Sequence, residues 1–503
     1  MNRWLRCTPA CAPLAALFAL LLTATAVVAG SDGYDRWYAI SIRGEPAGWM
    51  RTLQEIDEEQ RLTSTTDLNL SLSRGALQVD IQMTSSFTET KDGKPVSMRA
   101  RQQLGAAPTE TVFIFGEESI TARTDQAGRT GQIDLPLPEG AWLTPAQAEA
   151  YVGQRLKAGA ESISVRTLEP LSGPSPITIT RSNFTPERVT IKGEVFEAIR
   201  CDVTSSSTPG LTTTEYLDRE GSIIKTSVVM GGLPIEMTLA DASVADLDIK
   251  APELMVSTFV RPSRVIDNAR KTRRATYILR GPGDALSGLP DTGAQKVRIL
   301  APGATEITID ADLNAPAPAA DATDERYLAA TPFLDAKDEV IRGLARAATQ
   351  KTGREPAERA EAMRRFVYGH VASKHLGVGF ATAGEVARSR EGDCTEHAAL
   401  LAAMLRADGI PARVVTGLIY ADQFAGAQRI FGFHMWTQAL LPGADDQMVW
   451  IDLDPTLPER TPFDATHIAL ATSALETGEE QSSLSSIATL LGALSIEVVE
   501  VEP

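Results

Sequence analysis

Towards the C-terminal end of the chain lie residues whose types and order could perform nucleophilic chemistry. Cys394 follows a Gly-Asp pair and begins a stretch, 394–407, in which apolar residues recur every three or four positions, the spacing of a helix. A thiol at a helix N-terminus lies at the positive end of the backbone dipole, which favours the thiolate and lowers its pKa. His434 follows in one strand-like segment, and Asp452 and Asp454 follow in the next. A nucleophilic cysteine needs a base, and the base needs an orienting group, so we predict a Cys-His-Asp arrangement.

Spacing alone leaves some of these assignments open. Asp452 and Asp454 are two residues apart in a strand, so they share a face and either could orient the histidine. His397 lies one helical turn after Cys394. We expect His397 to pack or to hydrogen-bond within the helix, because a partner on the same rigid helix points alongside the thiol rather than across a cleft.

Metal binding is the other chemistry that these residue types allow. Cys394, His397, His434 and Asp454 include the thiolate, imidazole and carboxylate groups that zinc prefers. The chain nevertheless has neither a CxxC nor an HExxH motif, and it has no acidic loop of the EF-hand type. We therefore predict no metal site and no cofactor.

The motifs around these residues resemble the core of the transglutaminase-like superfamily. They are Gly-Asp-Cys-Thr-Glu-His at 392–397, Gly-Ile-Pro-Ala-Arg-Val-Val-Thr-Gly at 409–417, His-Met-Trp at 434–436 and Asp-Pro-Thr at 454–456. The resemblance covers residues 327–470 and implies a papain-like fold. It also implies that Cys394 is the nucleophile, His434 the base and Asp454 the orienting acid. Asp452 is then expected to be a surface or turn acid.

The chemistry that follows is acyl transfer to and from the Cys394 thiol. A carboxamide or peptide carbonyl of a protein or peptide substrate would form a thioester, which an amine or water then resolves. An amine acceptor would make the enzyme a cross-linking transglutaminase, and water would make it a cysteine peptidase or amidase. The alternative is a non-catalytic binding protein that retains the fold, although a pure binding protein has no need of all three groups.

The first 29 residues are typical of a secretion signal. Arg3 and Arg6 precede the apolar run 14–22, and small residues suited to cleavage follow it. We therefore predict a periplasmic or secreted protein with no membrane span after cleavage, because the run is short for a span. The alternative is a retained N-terminal anchor. Cleavage would change the net charge from −17 to −19, which argues against nucleic acid or an anionic membrane as a partner.

Residues 30–250 read as an antiparallel β domain. Leu68, Leu70 and Leu72 alternate with polar residues, as do the apolar residues from Leu77 to Met83, which predicts strands with one buried face. A single helix is expected over 145–156. Cys201 falls on the apolar face of a strand, so we predict a buried core thiol without catalytic use.

The remaining segments complete an α+β architecture. A small β unit is predicted over 255–310, a Pro/Ala-rich linker over 311–326 and the catalytic domain over 327–470. Within the catalytic domain, helices are expected over 336–351, 356–370 and 380–390, and strands over 412–420, 433–441 and 448–453. The last segment, 471–503, predicts a helix followed by an acidic edge strand.

Overall fold

The computed structural model describes residues 33–74, 77–103, 108–126, 129–208, 211–230, 233–249, 252, 258–282, 285–312, 319–374, 381–443, 447–476, 490 and 492–503. The signal predicted over 1–29 and the helix predicted in the C-terminal segment lie outside these residues. The described chain divides into two compact units, an N-terminal unit within residues 33–254 and a C-terminal unit within residues 255–503.

The N-terminal unit is built on a 14-stranded antiparallel sheet. In chain order its strands are β1 (Tyr34–Ile42), β2 (Glu45–Ile56), β3 (Leu62–Arg74), β4 (Leu77–Glu89), β5 (Pro95–Gln103), β6 (Thr109–Phe115), β7 (Ser119–Gln126), β8 (Arg129–Pro136), β9 (Ser162–Thr167), β10 (Ile177–Ile191), β11 (Glu194–Ser205), β12 (Thr212–Leu217), β13 (Ile223–Met230) and β14 (Leu233–Ala240). Each strand pairs with its neighbours in sequence, except that β1 pairs with β14 and joins the two halves, leaving β8 and β9 at the ends. Helix α1 (Pro145–Lys157) connects these end strands and begins with a capping box between Thr144 and Gln147.

Burial along β3 and β4 follows the alternation that the sequence predicts. Leu68, Leu70 and Leu72 are buried, as are Ile81 and Met83 on the paired strand. The side chains of Leu77 and Val79 lie outside the described set. Apolar residues that alternate along a strand lie on one face of the sheet, and this face is buried here. The prediction of a sheet with one buried face is therefore confirmed for the described residues.

The C-terminal unit contains two four-stranded sheets. The first comprises β15 (Arg274–Arg280), β16 (Gln295–Ala301), β17 (Ala304–Asp310) and β22 (Ser495–Glu502), in the order β16-β17-β15-β22. The C-terminal strand β22 is an edge strand, as predicted. It is antiparallel to β15 and pairs Ile496 with Leu279, so the end of the chain completes the sheet that begins near residue 274.

The second sheet and its helices form the region that the sequence predicts to be catalytic. The helices are α2 (Glu339–Thr349), α3 (Pro356–His370), α4 (Ala383–Ser389) and α5 (Cys394–Ala407), and the strands are β18 (Ala412–Phe424), β19 (Ala427–Pro442), β20 (Met448–Leu453) and β21 (His467–Ser473). The strand order is β20-β19-β18-β21. Residues on nearly every side of α5 are buried, so α5 is the central helix of the core.

The two sheets of the C-terminal unit are joined by side-chain hydrogen bonds. The Tyr277 hydroxyl donates to the carbonyl of Ala465 at 2.9 Å, and Gln295 Nε2 donates to the carbonyl of Ala469 at 3.0 Å. The region predicted as a small β unit therefore belongs to the same compact unit as the helices and strands around Cys394. None of the helices in the described ranges has the length and apolarity of a membrane span.

Candidate active site

The turn before Cys394 fixes where helix α5 begins. Asp393 is the N-cap: its carboxylate accepts from the N–H of Thr395 at 2.9 Å, and Glu396 Oε2 accepts from the N–H of Asp393 at 2.9 Å. This reciprocal pair is a capping box. Cys394 is thereby the first helical residue, as predicted, and it is buried. The positive end of the α5 backbone dipole lies at this position.

Glu396 is a structural acid in the wall of the site. It is fully buried and also accepts from the N–H of Ala381 at 3.1 Å. Burial raises the pKa of Glu396 well above its ordinary value, and the nearby Asp393 carboxylate raises it further. The sequence carries the signal for this contact, since Asp393 and Glu396 have the spacing of a capping box, but our sequence analysis did not use it.

His434 lies in the middle of β19, on the strand that packs against α5. The contact is direct: Thr437 Oγ1 donates to the carbonyl of Ala398, one helical turn after Cys394, at 2.9 Å. The residue opposite His434 on β18 is Gly417. A Cβ at Gly417 would lie 2.7 Å from the ring of Trp436, so a glycine at this position makes room for the tryptophan of the His-Met-Trp motif.

Asp454 lies directly after β20 and hydrogen-bonds to the His434 imidazole. His434 Nε2 lies 2.9 Å from Asp454 Oδ2, and both side chains are buried. Thr456 donates both its N–H and its hydroxyl to Oδ1, at 2.8 and 2.7 Å. Burial raises the pKa of the Asp454 carboxyl, but the charge and hydrogen bond of His434 and the hydrogen bond of His467 outweigh burial and hold the pKa well below its usual value. Asp454 is therefore an ionised, acceptor-only group.

Comparison with known proteins agrees with the motifs. Residues 342–455 match the model of the transglutaminase-like superfamily. The matched segment contains Cys394, His434 and Asp454 and ends one residue after the aspartate.

The individual proteins that resemble this chain either share low sequence identity with it or match it over a short segment. An uncharacterized protein of Mycobacterium bovis is 37% identical over 75 residues, which are 14% of this chain and 24% of the relative. The chain thus spans about a quarter of the length of the curated relatives it matches. A candidate cysteine protease of Cytophaga hutchinsonii is 15% identical with a TM-score of 0.28, over 46% of this chain and 86% of that one. The periplasmic domain of TgpA from Pseudomonas aeruginosa is 16% identical with a TM-score of 0.25, over 38% and 73%.

His467 is a member of the site that the sequence analysis missed. It begins β21 and is fully buried, with Nε2 3.2 Å from Asp454 Oδ2 and Nδ1 3.0 Å from the carbonyl oxygen of Asp464. Its ring stacks on Phe463 with centroids 4.3 Å apart. No motif surrounds His467 in the sequence, and the transglutaminase-like match ends before it, so no sequence signal marked it.

Asp452 corrects one of our expectations. It was expected to be a surface or turn acid, but Oδ1 accepts from Trp436 Nε1 at 2.7 Å and from Gln438 Nε2 at 2.8 Å. Oδ2 accepts from the N–H of Ala294 at 2.9 Å. Asp452 is thus a partly buried acceptor that fixes the tryptophan two residues after His434. The expectation failed because its partners lie on other segments of the chain.

His397 has the local role that its position predicts. Its Nδ1 lies 2.5 Å from the carbonyl oxygen of Asp393, on its own helix. Burial lowers the pKa of His397 to about 4, and the charge of Lys374 contributes, so this imidazole is neutral at physiological pH.

The residues that could bind a metal ion in the structure are not the same set as the one considered from the sequence. Within the described ranges, His434, Asp454 and His467 each place one ligand atom within 4.8 Å of the others, and two imidazoles with a carboxylate suit zinc. The separations of 2.9 and 3.2 Å are also those of imidazole–carboxylate hydrogen bonds. Both Nε2 atoms are therefore within hydrogen-bond distance of Asp454 Oδ2.

Arg364 of helix α3 supports the segment that carries Asp454. The buried guanidinium donates to the carbonyls of Leu457 and Glu459, at 3.0 and 2.9 Å, and pairs with Glu361. A buried guanidinium with its donors satisfied is costly to remove, so Arg364 holds the loop after β20 in place. No pattern in the sequence distinguishes this arginine from the others on the chain.

Proposed function

We propose that the C-terminal unit is a cysteine acyl-transfer enzyme of the transglutaminase-like type, with Cys394 as nucleophile, His434 as base and Asp454 as the acid that orients the base. The match of residues 342–455 to the superfamily supports the fold of this proposal. The pattern of residues 1–29 supports a periplasmic or secreted location.

The hydrogen bonding of His434 is the observation that carries the proposal. Asp454 is ionised and can only accept, so the His434 nitrogen that faces it, Nε2, must carry a proton. In the neutral imidazole the other nitrogen, Nδ1, is then an acceptor, and this buried atom has no hydrogen-bond partner among the described residues. An oriented base with one nitrogen open is what proton transfer from a thiol requires.

The reaction can be written with all protons accounted for. The Cys394 thiol gives its proton to His434 Nδ1, and the thiolate attacks the carbonyl carbon of a carboxamide or peptide bond. The C–N bond then breaks as His434 returns the proton to the departing amine, leaving a thioester. An amine or water attacks the thioester through the same base, which releases an amide or an acid and restores the thiol. In this mechanism the oxyanion forms at the N-terminus of α5, where the positive end of the helix dipole favours a negative charge.

A non-catalytic binding module with the same fold is the rival. Such a module needs packing from these positions but no open imidazole nitrogen, and a buried nitrogen without a partner costs stability. His397 Nε2 is also a buried ring nitrogen without a hydrogen-bond partner among the described residues, so the open nitrogen alone does not separate the two functions. The combination of an open Nδ1 with an ionised Asp454 on Nε2 of the same ring favours the enzyme over the binding module.

The test is product analysis with the secreted full-length protein. We would incubate it with a glutamine-containing peptide, with and without a primary amine, and identify products by mass spectrometry. Amine incorporation supports transamidation, and deamidation or chain cleavage supports hydrolysis. A Cys394→Ala variant should lose either product and a Cys201→Ala variant should retain it. Equal product from wild type and Cys394→Ala would contradict the proposal.

A further inference from the structure

One oxygen of Asp454 faces two imidazoles. His434 Nε2 lies 2.9 Å from Oδ2, and His467 Nε2 lies 3.2 Å from the same atom. The other oxygen, Oδ1, is engaged by the two donors of Thr456. The proposed function uses His434 and Asp454 but assigns nothing to His467.

The contacts of His467 fix how many protons it carries. An ionised carboxylate only accepts hydrogen bonds, so Nε2 must bear a proton to face Asp454. Nδ1 lies 3.0 Å from the carbonyl oxygen of Asp464, and a carbonyl oxygen also only accepts. Both ring nitrogens therefore carry protons, and His467 is a fully buried imidazolium.

The surrounding charges compensate this buried cation. The Asp464 carboxylate lies 3.4 Å from Nδ1 and pairs with Arg270 at 2.8 Å. Asp454 faces Nε2, and Asp452 is a further acid in the electrostatic environment of His467. Burial lowers the pKa of His467, but Asp464 and Asp454 outweigh it and raise the pKa to about 9. His467 thus balances Asp454, while Arg270 balances Asp464.

We propose that His467 is a positioning residue: a buried imidazolium that holds Asp454 by the same oxygen that orients His434. The proposal rests on the proposed function of Cys394, His434 and Asp454. His467 prevents the Asp454 carboxylate from rotating away from His434, because the hydrogen bond that His467 donates to Oδ2 fixes the position of this oxygen. Its positive charge also offsets the negative charge of Asp454, which limits how strongly the carboxylate favours the protonated form of the base.

The first test is the pH profile of Cys394 alkylation by iodoacetamide in His467→Gln. Glutamine retains an N–H that can reach Asp454 but removes the charge. Loss of a nearby cation makes deprotonation of neighbouring groups harder, so we expect the profile to move to higher pH by about one unit or more. His370→Gln is the matched control, because His370 bonds to the carbonyl of Ala387 outside this cluster, and its profile should stay in place. A profile for His467→Gln that superimposes on wild type would overturn the proposal.

The second test needs no substitution and reads the charge of His467 directly. The chain has five histidines, and nitrogen-15 NMR of the labelled full-length protein distinguishes neutral rings from doubly protonated ones. We expect one ring to keep both protons at pH 7.5 and to titrate near pH 9. A neutral His467 at pH 7.5 would overturn the proposal even if the glutamine variant does not fold. Failure of the proposed function looks different: wild-type Cys394 would then be no more reactive than Cys201, whatever the NMR titration gives.

Discussion

Cys201 and Cys394 are both buried and neither forms a disulfide within the described residues, yet their surroundings, one in each compact unit, differ in kind. Cys201 lies within β11 and is paired in register with Glu215 of β12. Burial raises the pKa of the Cys201 thiol well above its ordinary range, and the Glu215 carboxylate adds to the rise. Of the cations that favour the Cys201 thiolate, Arg181 has the larger effect, but it is already bonded to Glu215 at 2.8 Å.

Cys394 has the opposite arrangement. It begins helix α5, where the positive end of the helix dipole favours a negative charge. The strand beside α5 carries His434, whose Nε2 is bound by Asp454 and whose Nδ1 has no partner among the residues described. Equal burial therefore does not imply equal chemistry. The backbone position of the thiol and the state of the imidazole on the neighbouring strand distinguish a core cysteine from a candidate nucleophile.

The largest expected effect comes from breaking the contact that orients His434. In Asp454→Asn the two donors of Thr456 hold the remaining amide oxygen, so the amide NH2 faces His434 Nε2 and disfavours the Nε2–H tautomer; we expect turnover and Cys394 alkylation to fall by about 10²–10⁴-fold. Asp452→Asn is the matched control, because it is equally isosteric and lies two residues earlier, on β20. It keeps an acceptor for Trp436 but turns an N–H towards the N–H of Ala294, so we expect less than about tenfold loss. Equal losses in the two variants, or a larger loss for Asp452→Asn, would contradict the roles assigned to them.

The next effect is a pH dependence of stability in the unit that contains Cys394. Folding raises the pKa of His467 from an ordinary value near 6.5 to about 9. Charged His467 therefore contributes roughly 3 kcal/mol to the free energy of unfolding. This contribution is fully present below about pH 6.5 and is lost as the pH rises through about 9. Denaturant unfolding of wild type and His467→Gln should show the wild-type advantage at pH 6 shrinking by pH 9.5. A difference between the two proteins that does not change with pH would show that His467 is not charged in the fold.

A smaller effect is expected from disturbing the turn before Cys394. Gly392 has φ of 150°, and a Cβ there would lie 2.3 Å from Glu396 Cβ, so Gly392→Ala strains both the backbone and the capping box. We expect a loss of at least about 2 kcal/mol in unfolding free energy together with slower Cys394 alkylation. Gly409→Ala at the other end of α5 is the control: φ is 83° but no atom lies within 4 Å of the added Cβ. It should cost about 1 kcal/mol and leave alkylation unchanged. A Gly392→Ala protein with wild-type stability would refute this account of the turn.

The smallest effect concerns the core thiol. Cys201→Ala removes one buried sulfur from the N-terminal sheet, so we expect a loss of about 1–2 kcal/mol in stability. Because Cys201 has no part in the proposed chemistry, turnover should be unchanged when measured well below the melting temperature. A loss of turnover in a folded Cys201→Ala protein would remove the distinction between the two thiols.

Local patterns predicted several elements of the C-terminal unit, although they did not predict β17 and β21. Helix α3 was predicted over 356–370 and is found at Pro356–His370, and β20 was predicted over 448–453 and is found at Met448–Leu453. The start of α5 at Cys394 also follows from local chemistry, because a Gly-Asp turn and an apolar period lie next to each other in sequence. The helix expected over 380–390 is shorter, at Ala383–Ser389.

Contacts between distant segments could not be predicted in the same way. His467, Asp464 and Arg270 form their network only because the loop after β20 returns to β21 and a segment near residue 270 packs on it. The role of Asp452 likewise depends on Ala294, and strand β22 finds its partner in β15. Periodicity and motifs report neighbours along the chain, whereas these partners are set by tertiary packing.

The most direct test of the proposed nucleophile is site-resolved alkylation of Cys201 and Cys394 in one sample. Native protein is treated with iodoacetamide from pH 5 to pH 10, and the rate at each cysteine is read from its own peptide by mass spectrometry. Both thiols are buried, so burial alone predicts similar protection. We expect Cys394 to react with a midpoint well below the pH of about 8.5 typical of a free thiol, while Cys201 stays unmodified until the protein unfolds. A Cys394 rate no greater than that of Cys201, or a midpoint near that of a free thiol, would contradict its assignment as the nucleophile.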